Sequence, residues 1–254
     1  MAPTSPAPRP GPPSGEEGRR SAASSIGELF DSVAPRYDFL NHLLSGGSDW
    51  RWREKVASAV ARRSPKRLLD LATGSGDLLR LLERRIPTLE ETWGVDLSPS
   101  MLAVARAKGL RRLLQADALN LPFPDGSFDV VTVAFGLRNF ADRLRGLAEM
   151  RRVLRPGGSV FILEFSRPRA WLAPAYFFYL QRILPEIARL FGAPREAYRY
   201  LASSIAAFPG AEELAEEMAR AGFAGVRFQR WTGGVVALHE GVAGSAGASP
   251  RSAG

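Results

Sequence analysis

The stretch Arg67-Leu-Leu-Asp-Leu-Ala-Thr-Gly-Ser-Gly-Asp77 is the clearest structural signal in this chain. A short apolar run rises to Asp70, and a turn containing Gly74 and Gly76 follows before a helical pattern begins. This order predicts a strand, a glycine turn and a helix start. Glycines suit such a turn because they tolerate positive φ and let a ligand approach the backbone closely. The stretch therefore predicts a site for a nucleotide-like ligand.

A carboxylate about twenty residues further along narrows the kind of ligand. A dinucleotide fingerprint requires a third glycine three residues after the second, and Leu79 occupies that position. The run Trp93-Gly-Val-Asp96 indicates a second strand that ends in a carboxylate, which in this topology contacts the ribose hydroxyls. A ribose ligand without a pyrophosphate, such as S-adenosylmethionine, is therefore expected. In the alternative interpretation the glycines only turn the chain and Asp96 caps a helix; the spacing favours the ligand.

Composition limits the class of protein. With 254 residues and 45% hydrophobic content, the chain can bury one sizeable core, so one domain is expected. No apolar run approaches the roughly 18 to 20 residues that span a bilayer. The sequence contains no cysteine, which excludes disulfides and a cysteine nucleophile, and its two histidines stand far apart. We therefore expect no metal site.

The formal charge of +8 is compatible with a nucleic acid, an anionic membrane or a simply solvated surface. The arginine pairs are spread over several segments, and neither a single basic helix nor an RNA-binding aromatic signature is present. We interpret the charge as a solvated surface and expect no nucleic-acid partner. A membrane surface is the second interpretation.

The chain is expected to consist of one domain between two tails. Residues 1–25 and 242–254 are of low complexity and are predicted to be disordered. The domain is placed at 26–241 and begins with an amino-terminal helical cap. Strands are expected near 67–71, 92–95, 113–116, 127–135, 159–165, 226–229 and 235–238, and helices near 50–62, 77–85, 99–108, 143–154 and 212–221. This alternation predicts an α/β fold with a parallel sheet, helices on both faces and an antiparallel edge formed by the last strand pair.

An aromatic segment interrupts this rhythm between Trp171 and Phe191. Its apolar residues form a wide helical surface, interrupted by Pro174 and Pro185. We interpret residues 170–205 as an inserted aromatic cover over the ligand crevice. A buried core helix and a homodimer face are the alternatives.

Several further stretches carry a family resemblance. They are Tyr37-Asp38 with Asn41, Leu121-Pro-Phe-Pro-Asp125, Phe135-Gly-Leu-Arg-Asn139, Leu154-Arg-Pro-Gly-Gly158, Leu163-Glu-Phe-Ser166, Tyr198-Arg-Tyr-Leu201 and Gly234-Val-Val-Ala-Leu-His239. With these motifs, the chain resembles the ubiquinone/menaquinone biosynthesis C-methyltransferases from about Leu29 to Gly241. The resemblance implies a class I S-adenosylmethionine-dependent methyltransferase fold, Rossmann-like, with a seven-stranded sheet. It also implies methyl transfer to a ring carbon of a polyprenylated quinol.

The same resemblance implies residues that contact the methyl donor. They are the turn residues Gly74, Ser75 and Gly76, the strand-end carboxylate Asp96, and the pair Asp117 and Ala118 after the third strand. Ala134 stands where some relatives have serine, so a hydroxyl contact is not expected there.

Catalysis on this interpretation requires a phenolic proton to be removed or a phenolate to be stabilised, because carbon is a poor nucleophile. Arg138 is expected to place its fixed charge beside the phenolate, with Asn139 helping to hold a water that carries the proton. The alternative is that both residues only order their loop. His239 could act as a base, but a histidine at a strand end is more often structural.

Substrate contacts are expected from Tyr37 and Phe135, with a structural cap as the alternative for Tyr37, and Phe177 and Phe178 are expected to contact the prenyl tail. The ring is expected to be that of demethylmenaquinol, with the equivalent benzoquinol of ubiquinone biosynthesis as the alternative. Methylation of another small molecule and a non-catalytic basic binding module are the remaining alternatives. A cytoplasmic location is expected, with peripheral contact to the inner membrane face.

Overall fold

The computed structural model describes residues 47–183, 185–186 and 195–244, and for 195–200 it describes the backbone alone. The predictions for the amino-terminal tail, for the helical cap and for Tyr37 lie outside these residues. The same holds for the carboxyl-terminal tail beyond Gly244.

Seven strands form where short runs of aliphatic and β-branched residues occur. The two central strands, Arg67–Leu71 and Phe128–Ala134, are buried along most of their length, as strands covered on both faces are. The strands are β1 (Arg67–Leu71), β2 (Glu91–Asp96), β3 (Leu113–Gln115), β4 (Phe128–Ala134), β5 (Leu154–Phe165), β6 (Phe223–Trp231) and β7 (Val236–Ala243).

The strands make one mixed sheet in the order β3-β2-β1-β4-β5-β7-β6. Strands β1 to β5 pair in parallel, whereas β7 runs antiparallel to both of its neighbours. The predicted seven-stranded sheet and its antiparallel edge are therefore confirmed. The strand order reverses between β1 and β4, and ligands bind such sheets outside the carboxyl ends of the strands at this reversal.

Helices cover both faces of the sheet. They are α1 (Asp49–Ala61), α2 (Asp77–Arg85), α3 (Pro99–Ala107), α4 (Arg143–Val153), α5 (Ala173–Phe178), α6 (Arg195–Ala207) and α7 (Ala211–Arg220). Side chains of α1, α2 and α3 join one buried cluster, and those of α4 and α7 join the cluster on the opposite face. Alternate residues of β1 divide between the two, with Leu68 in the first and Leu69 in the second. One hydrophobic cluster therefore lies on each face of the sheet.

The glycine turn joins β1 to α2 as expected. Gly74 has φ of 55° and Gly76 has φ of 80°, and Gly76 is the residue that immediately precedes the helix. A Cβ atom on Gly76 would lie 2.2 Å from Leu110 Cδ1 and 3.2 Å from Ala105 Cβ. Gly76 is therefore needed for both its backbone conformation and its packing.

We expect Gly76→Ala to destabilise the fold by about 2 to 4 kcal/mol, because backbone strain and overpacking act together. Gly157→Ala is a matched control, since Gly157 has nearly the same φ, 78°, with no atom within 4 Å of its Cβ position. Urea denaturation should show a loss of only about 1 kcal/mol for the control. Equal losses for the two variants would contradict the packing role of Gly76.

Two predicted boundaries differ from the structure around β5 and β7. A strand was predicted near 159–165, yet β5 begins at Leu154, directly after α4, and includes Arg155-Pro-Gly-Gly158. Leu154 pairs with Phe128 and Ser159 with Val130, so the extra residues are accommodated as an irregularity within the strand. Strand β7 ends at Ala243, two residues beyond the predicted domain boundary at Gly241.

The aromatic segment contains less regular helix than its pattern suggests. Helix α5 carries Pro174 in its first turn, where proline is tolerated, and continues as a π-helical stretch, Tyr179–Ile183. Leu180 is buried in the core, whereas Phe178 is 60% exposed. Among the described residues, no helix combines the length and apolar character needed to cross a membrane.

Candidate active site

A cleft opens at the carboxyl ends of β1 to β4, next to the reversal in strand order. Its volume is about 740 Å³ with the open mouth included. Four of the residues predicted to bind the methyl donor line it, namely Gly74, Asp96, Asp117 and Ala118. The structure thus brings together residues that are far apart in sequence.

Asp96 holds the backbone on two sides of this cleft. One carboxylate oxygen, Oδ2, accepts the Gly74 N–H at 2.8 Å, and Oδ1 accepts the Ser98 N–H at 2.9 Å. The Ser98 hydroxyl in turn accepts the Met101 N–H at 3.1 Å and caps α3. Ser98 rather than Asp96 therefore caps α3, and Asp96 orders the turns that shape the cleft it faces.

The remaining walls of the cleft are largely apolar. Side chains of Leu97, Met101, Leu119 and Phe140 surround it, and each follows a strand end or begins a helix. Asp117 is oriented by its own turn, where its Oδ1 accepts the Leu119 N–H at 2.9 Å. The flat nucleobase of a nucleoside, which has apolar faces and a polar edge, suits such walls.

A second, more polar cavity of about 350 Å³ adjoins the first. The two cavities share Ala72, Gly74 and Phe135 as lining residues. Ser75 lines the second cavity rather than the first, and Gly76 lines neither because it packs against α3 and Leu110. Of the three predicted turn contacts, Gly74 and Ser75 are therefore at the site, and Gly76 supports it.

Asp70 lies buried at the inner wall of the second cavity. Its two oxygens accept hydrogen bonds from the hydroxyls of Thr132, at 2.5 Å, and Thr73, at 2.7 Å. Burial raises the pKa of Asp70 to about 6, and the two hydroxyl bonds and the nearby Arg53 oppose that rise.

The raised pKa makes the stability of the fold depend on pH. The folded-state pKa of Asp70, about 6, lies above the ordinary value of 3.8, so its contribution is complete below pH 3.8 and is lost as the pH rises to about 6. Since one pKa unit corresponds to 1.36 kcal/mol, the penalty approaches about 3 kcal/mol at neutral pH. We expect the free energy of unfolding of Asp70→Asn, relative to the wild type, to rise by about 2 kcal/mol between pH 4 and pH 7, because a small part of the penalty is already present at pH 4. Urea denaturation at both pH values measures it, and a constant difference would contradict the assignment.

The loop after β4 gives Arg138 and Asn139 different environments. Asn139 lines the cleft, whereas the Arg138 side chain is only 4% exposed. Arg138 Nη1 pairs with Glu164 Oε1 at 2.8 Å, and it also donates to the carbonyl of Phe135. Because a buried carboxylate already balances the guanidinium, the geometry favours loop ordering by Arg138 over its predicted position beside a phenolate.

Phe135 stands where both cavities meet. It has a positive φ of 58°, which is uncommon for a residue with a side chain. Its ring packs between those of Trp52 and Phe165, with centroid distances of 6.0 Å and 4.8 Å. Strain held in place by surrounding packing is a frequent mark of functional sites, and Phe135 lines both cavities, as a residue predicted to contact the substrate should.

Phe177 and Phe178 lie outside both cavities. Phe177 is half-buried against the core and contacts Tyr176, with ring centroids 5.8 Å apart. Phe178 faces outward. Their predicted contact with a prenyl tail is therefore at most a contact at the surface, away from the reacting ring.

His239 is buried in β7 and lines neither cavity. Its Nε2–H donates to the Ala211 carbonyl at 2.8 Å, and burial lowers the pKa of His239 to about 4. Within the described residues, no group of three His, Cys, Asp or Glu side chains could hold a metal ion.

Sequence reasoning missed two kinds of site residue. The apolar walls Leu97, Met101 and Phe140 could have been anticipated, since each lies a few residues after a predicted strand end. Arg53 could not, because its position in the second cavity depends on how α1 packs beside β1.

S-adenosylmethionine fits this arrangement. Its ribose hydroxyls are donors that suit the carboxylate of Asp96, and its base suits the apolar walls. Asp96 also accepts the Gly74 N–H and so holds the turn next to this ribose position. The residues that line the two cavities therefore fit a ribose ligand without a pyrophosphate.

Known proteins resemble this chain over most of its length. Residues 18–243 match the model of the ubiE/COQ5 methyltransferase family. A demethylmenaquinone methyltransferase from Thermus thermophilus is 50% identical over 219 residues, which are 84% of this chain and 99% of that protein. The enzyme of the same name from Deinococcus radiodurans is 45% identical, covering 89% and 95%. The ubiquinone/menaquinone biosynthesis C-methyltransferase UbiE of Chromobacterium violaceum is 43% identical, covering 87% and 92%.

Solved structures share the fold at low identity. An S-adenosylmethionine-dependent methyltransferase from Thermotoga maritima superposes with a TM-score of 0.59 at 21% identity, covering 85% of this chain and 98% of that one. The [4+2]-cyclase SpnF reaches 0.61 at 18% identity, covering 87% and 96%. A fold shared by a methyltransferase and a cyclase does not identify the reaction. The family match rests instead on the sequence, over residues 18–243. The sheet is that of a class I methyltransferase, and the chain belongs to the ubiE/COQ5 methyltransferase family.

Proposed function

We propose that this protein transfers a methyl group from S-adenosylmethionine to a ring carbon of a polyprenylated quinol, with demethylmenaquinol as its substrate. The observation that carries the proposal is the cleft, in which Asp96, Asp117 and Ala118 meet Phe135 and Asn139. The names of the Thermus and Deinococcus relatives support the naphthoquinol ring.

The donor would be held by residues of both cavities. Asp96 would accept from the ribose hydroxyls, Asp117 and Ala118 would contact the base, and Gly74 and Ser75 would lie along the rest of the ligand. When bound, S-adenosylmethionine supplies a methyl carbon that is electrophilic because it is attached to a sulfonium. The protein's own contribution is alignment and electrostatics.

Activation of the acceptor falls to the loop after β4. Asn139 lines the cleft and can orient a quinol hydroxyl or a water that accepts its proton. Arg138 is a positioning residue on this proposal, because its bonds to Glu164 and to the Phe135 carbonyl hold the loop that presents Asn139. Phe135 would pack against the ring.

Product analysis tests the reaction and the ring together. Purified protein is incubated with methyl-labelled S-adenosylmethionine and either reduced demethylmenaquinone or the reduced demethylated ubiquinone precursor. We expect label on a ring carbon of the naphthoquinol, which NMR distinguishes from an O-methyl group. Label on the benzoquinol alone would favour the ubiquinone branch, which the name of the Chromobacterium relative also mentions. Binding of neither donor nor quinol would favour a non-catalytic module.

The outer face of the aromatic cover supports access to a lipid substrate. Trp171 is 73% exposed, and Phe178 and Ile183 are also exposed further along this segment, with the exposed Arg169 and Arg182 nearby in sequence. Apolar residues flanked by cations are typical of segments that lie on an anionic bilayer surface. We propose that this face contacts the membrane from the cytoplasmic side. A homodimer through the same face is the alternative, which sedimentation with and without vesicles would distinguish.

Phe178→Ala is expected to lower kcat/KM roughly tenfold for a long-tailed quinol, since a lost phenyl contact is worth about 1.5 kcal/mol or more. The rate on a tail-less quinol should stay unchanged. Phe177→Ala is the comparison, because Phe177 packs against the core and its loss should lower the melting temperature instead. Equal losses on both quinols after Phe178→Ala would contradict a tail or membrane contact.

A further inference from the structure

The second cavity contains a buried cation that the binding of a nucleoside does not require. Arg53 projects from α1 into this cavity and is 9% exposed. It shares the cavity with Asp70, Ser75 and Asp77. Arg53 therefore lies at the far side of the turn that carries Gly74, away from the apolar walls of the first cleft.

The local structure holds Arg53 in place. Its Nη1 pairs with the carboxylate of Asp49, one helical turn earlier on α1, and Asp49 is itself buried. A guanidinium has five N–H donors, of which this bond uses one. Burying a charge is expensive unless it is compensated, and Asp49 supplies that compensation within α1. Unlike Arg138, however, Arg53 also lines a cavity, so it can meet an anionic ligand there as well.

The two carboxylates of the cavity are bonded to other residues, which leaves Arg53 as the side chain that could bind an anionic ligand. Asp77 pairs with Lys108 at 2.6 Å, and Asp70 is bonded to two hydroxyls. Of the described residues that line either cavity, Arg53 is the one with a positive charge. An anionic group that reaches the second cavity would therefore meet Arg53.

S-adenosylmethionine offers such a group. With its ribose at Asp96, its amino-acid half extends past the residues that both cavities share, Ala72, Gly74 and Phe135. We propose that Arg53 binds the α-carboxylate of this amino-acid half and makes the enzyme select donors that carry it. The inference rests on the proposed function, because it takes S-adenosylmethionine as the ligand.

Three ligands separate this role from a structural one. Decarboxylated S-adenosylmethionine lacks the carboxylate, and 5′-methylthioadenosine lacks the whole amino-acid half. By isothermal titration calorimetry, the wild type should bind S-adenosylmethionine about 10- to 100-fold more tightly than the decarboxylated form, as charged hydrogen bonds imply. Arg53→Gln should abolish this preference and leave the affinities for the other two ligands unchanged. Arg53→Lys should restore part of it.

Other outcomes would overturn the inference. Equal weakening of all three ligands by Arg53→Gln would mean that Arg53 only supports the fold. If Arg53→Gln alone unfolds because buried Asp49 loses its ion pair with Arg53, the variant Asp49→Asn with Arg53→Gln replaces both charges and is measured instead. A wild type that binds the decarboxylated form as tightly as S-adenosylmethionine would refute the role of Arg53 while leaving the proposed function intact. A wild type that binds none of the three would refute the proposed function itself.

Discussion

Replacing Asp96 by alanine is expected to weaken S-adenosylmethionine binding by at least about a hundredfold. Hydrogen bonds to a charged group contribute about 1.5 to 3 kcal/mol each, and the Asp96 carboxylate faces a ligand with two ribose hydroxyls. The change also releases the N–H groups of Gly74 and Ser98, which Asp96 holds at 2.8 Å and 2.9 Å. The affinity is measured by isothermal titration calorimetry, and activity at low donor concentration should fall in parallel.

Asp129→Ala is the matched control for this prediction. Asp129 also accepts two backbone N–H groups, those of Lys66 and Arg67, at 2.7 Å and 2.8 Å. It lies at the start of β4, at the opposite end of the sheet from the cleft. The control should lose stability but keep its affinity for S-adenosylmethionine. Similar affinity losses in both variants would show that Asp96 acts through the fold rather than through the ligand.

Arg138→Met is expected to destabilise the fold by about 3 to 5 kcal/mol, because it leaves one partner of a buried ion pair uncompensated. The partner, Glu164, has a side chain that is 1% exposed. Adding Glu164→Gln should recover a substantial part of the loss, since the buried charge is then gone. Urea denaturation of the two single variants and the double variant gives the coupling energy. Additive losses would contradict the pairing.

The pH dependence of kcat distinguishes the two roles of Arg138. If the guanidinium stabilised a phenolate, Arg138→Met would raise the apparent pKa of the ascending limb of the profile. A positioning residue lowers kcat and leaves that pKa unchanged, because it acts through Asn139 and the loop. We expect the second result, measured at temperatures well below the melting transition.

The strands and the donor cleft could be predicted from the sequence because the sequence patterns that indicate them are local. The apolar run before Asp70, the glycines after it and the carboxylate at Asp96 each occupy a short window, and parallel strands bring their carboxyl ends together. The loop Phe135-Gly-Leu-Arg-Asn139, by contrast, was identified through the family resemblance.

The environments of individual side chains were harder to predict from the sequence. The ion pair of Arg138 was not anticipated, because its partner Glu164 stands 26 residues later on the neighbouring strand and no local pattern pairs them. Arg53 likewise enters the site through the packing of α1. The raised pKa of Asp70 follows from its burial, which the sequence position alone does not reveal.

A crystal structure with bound S-adenosylhomocysteine is the most direct test of the donor site. We expect the ribose hydroxyls on the Asp96 carboxylate, the base among Leu97, Met101 and Phe140, and the amino-acid end in the second cavity. A nucleoside bound elsewhere, or a ribose without contact to Asp96, would contradict the assignment of the cleft.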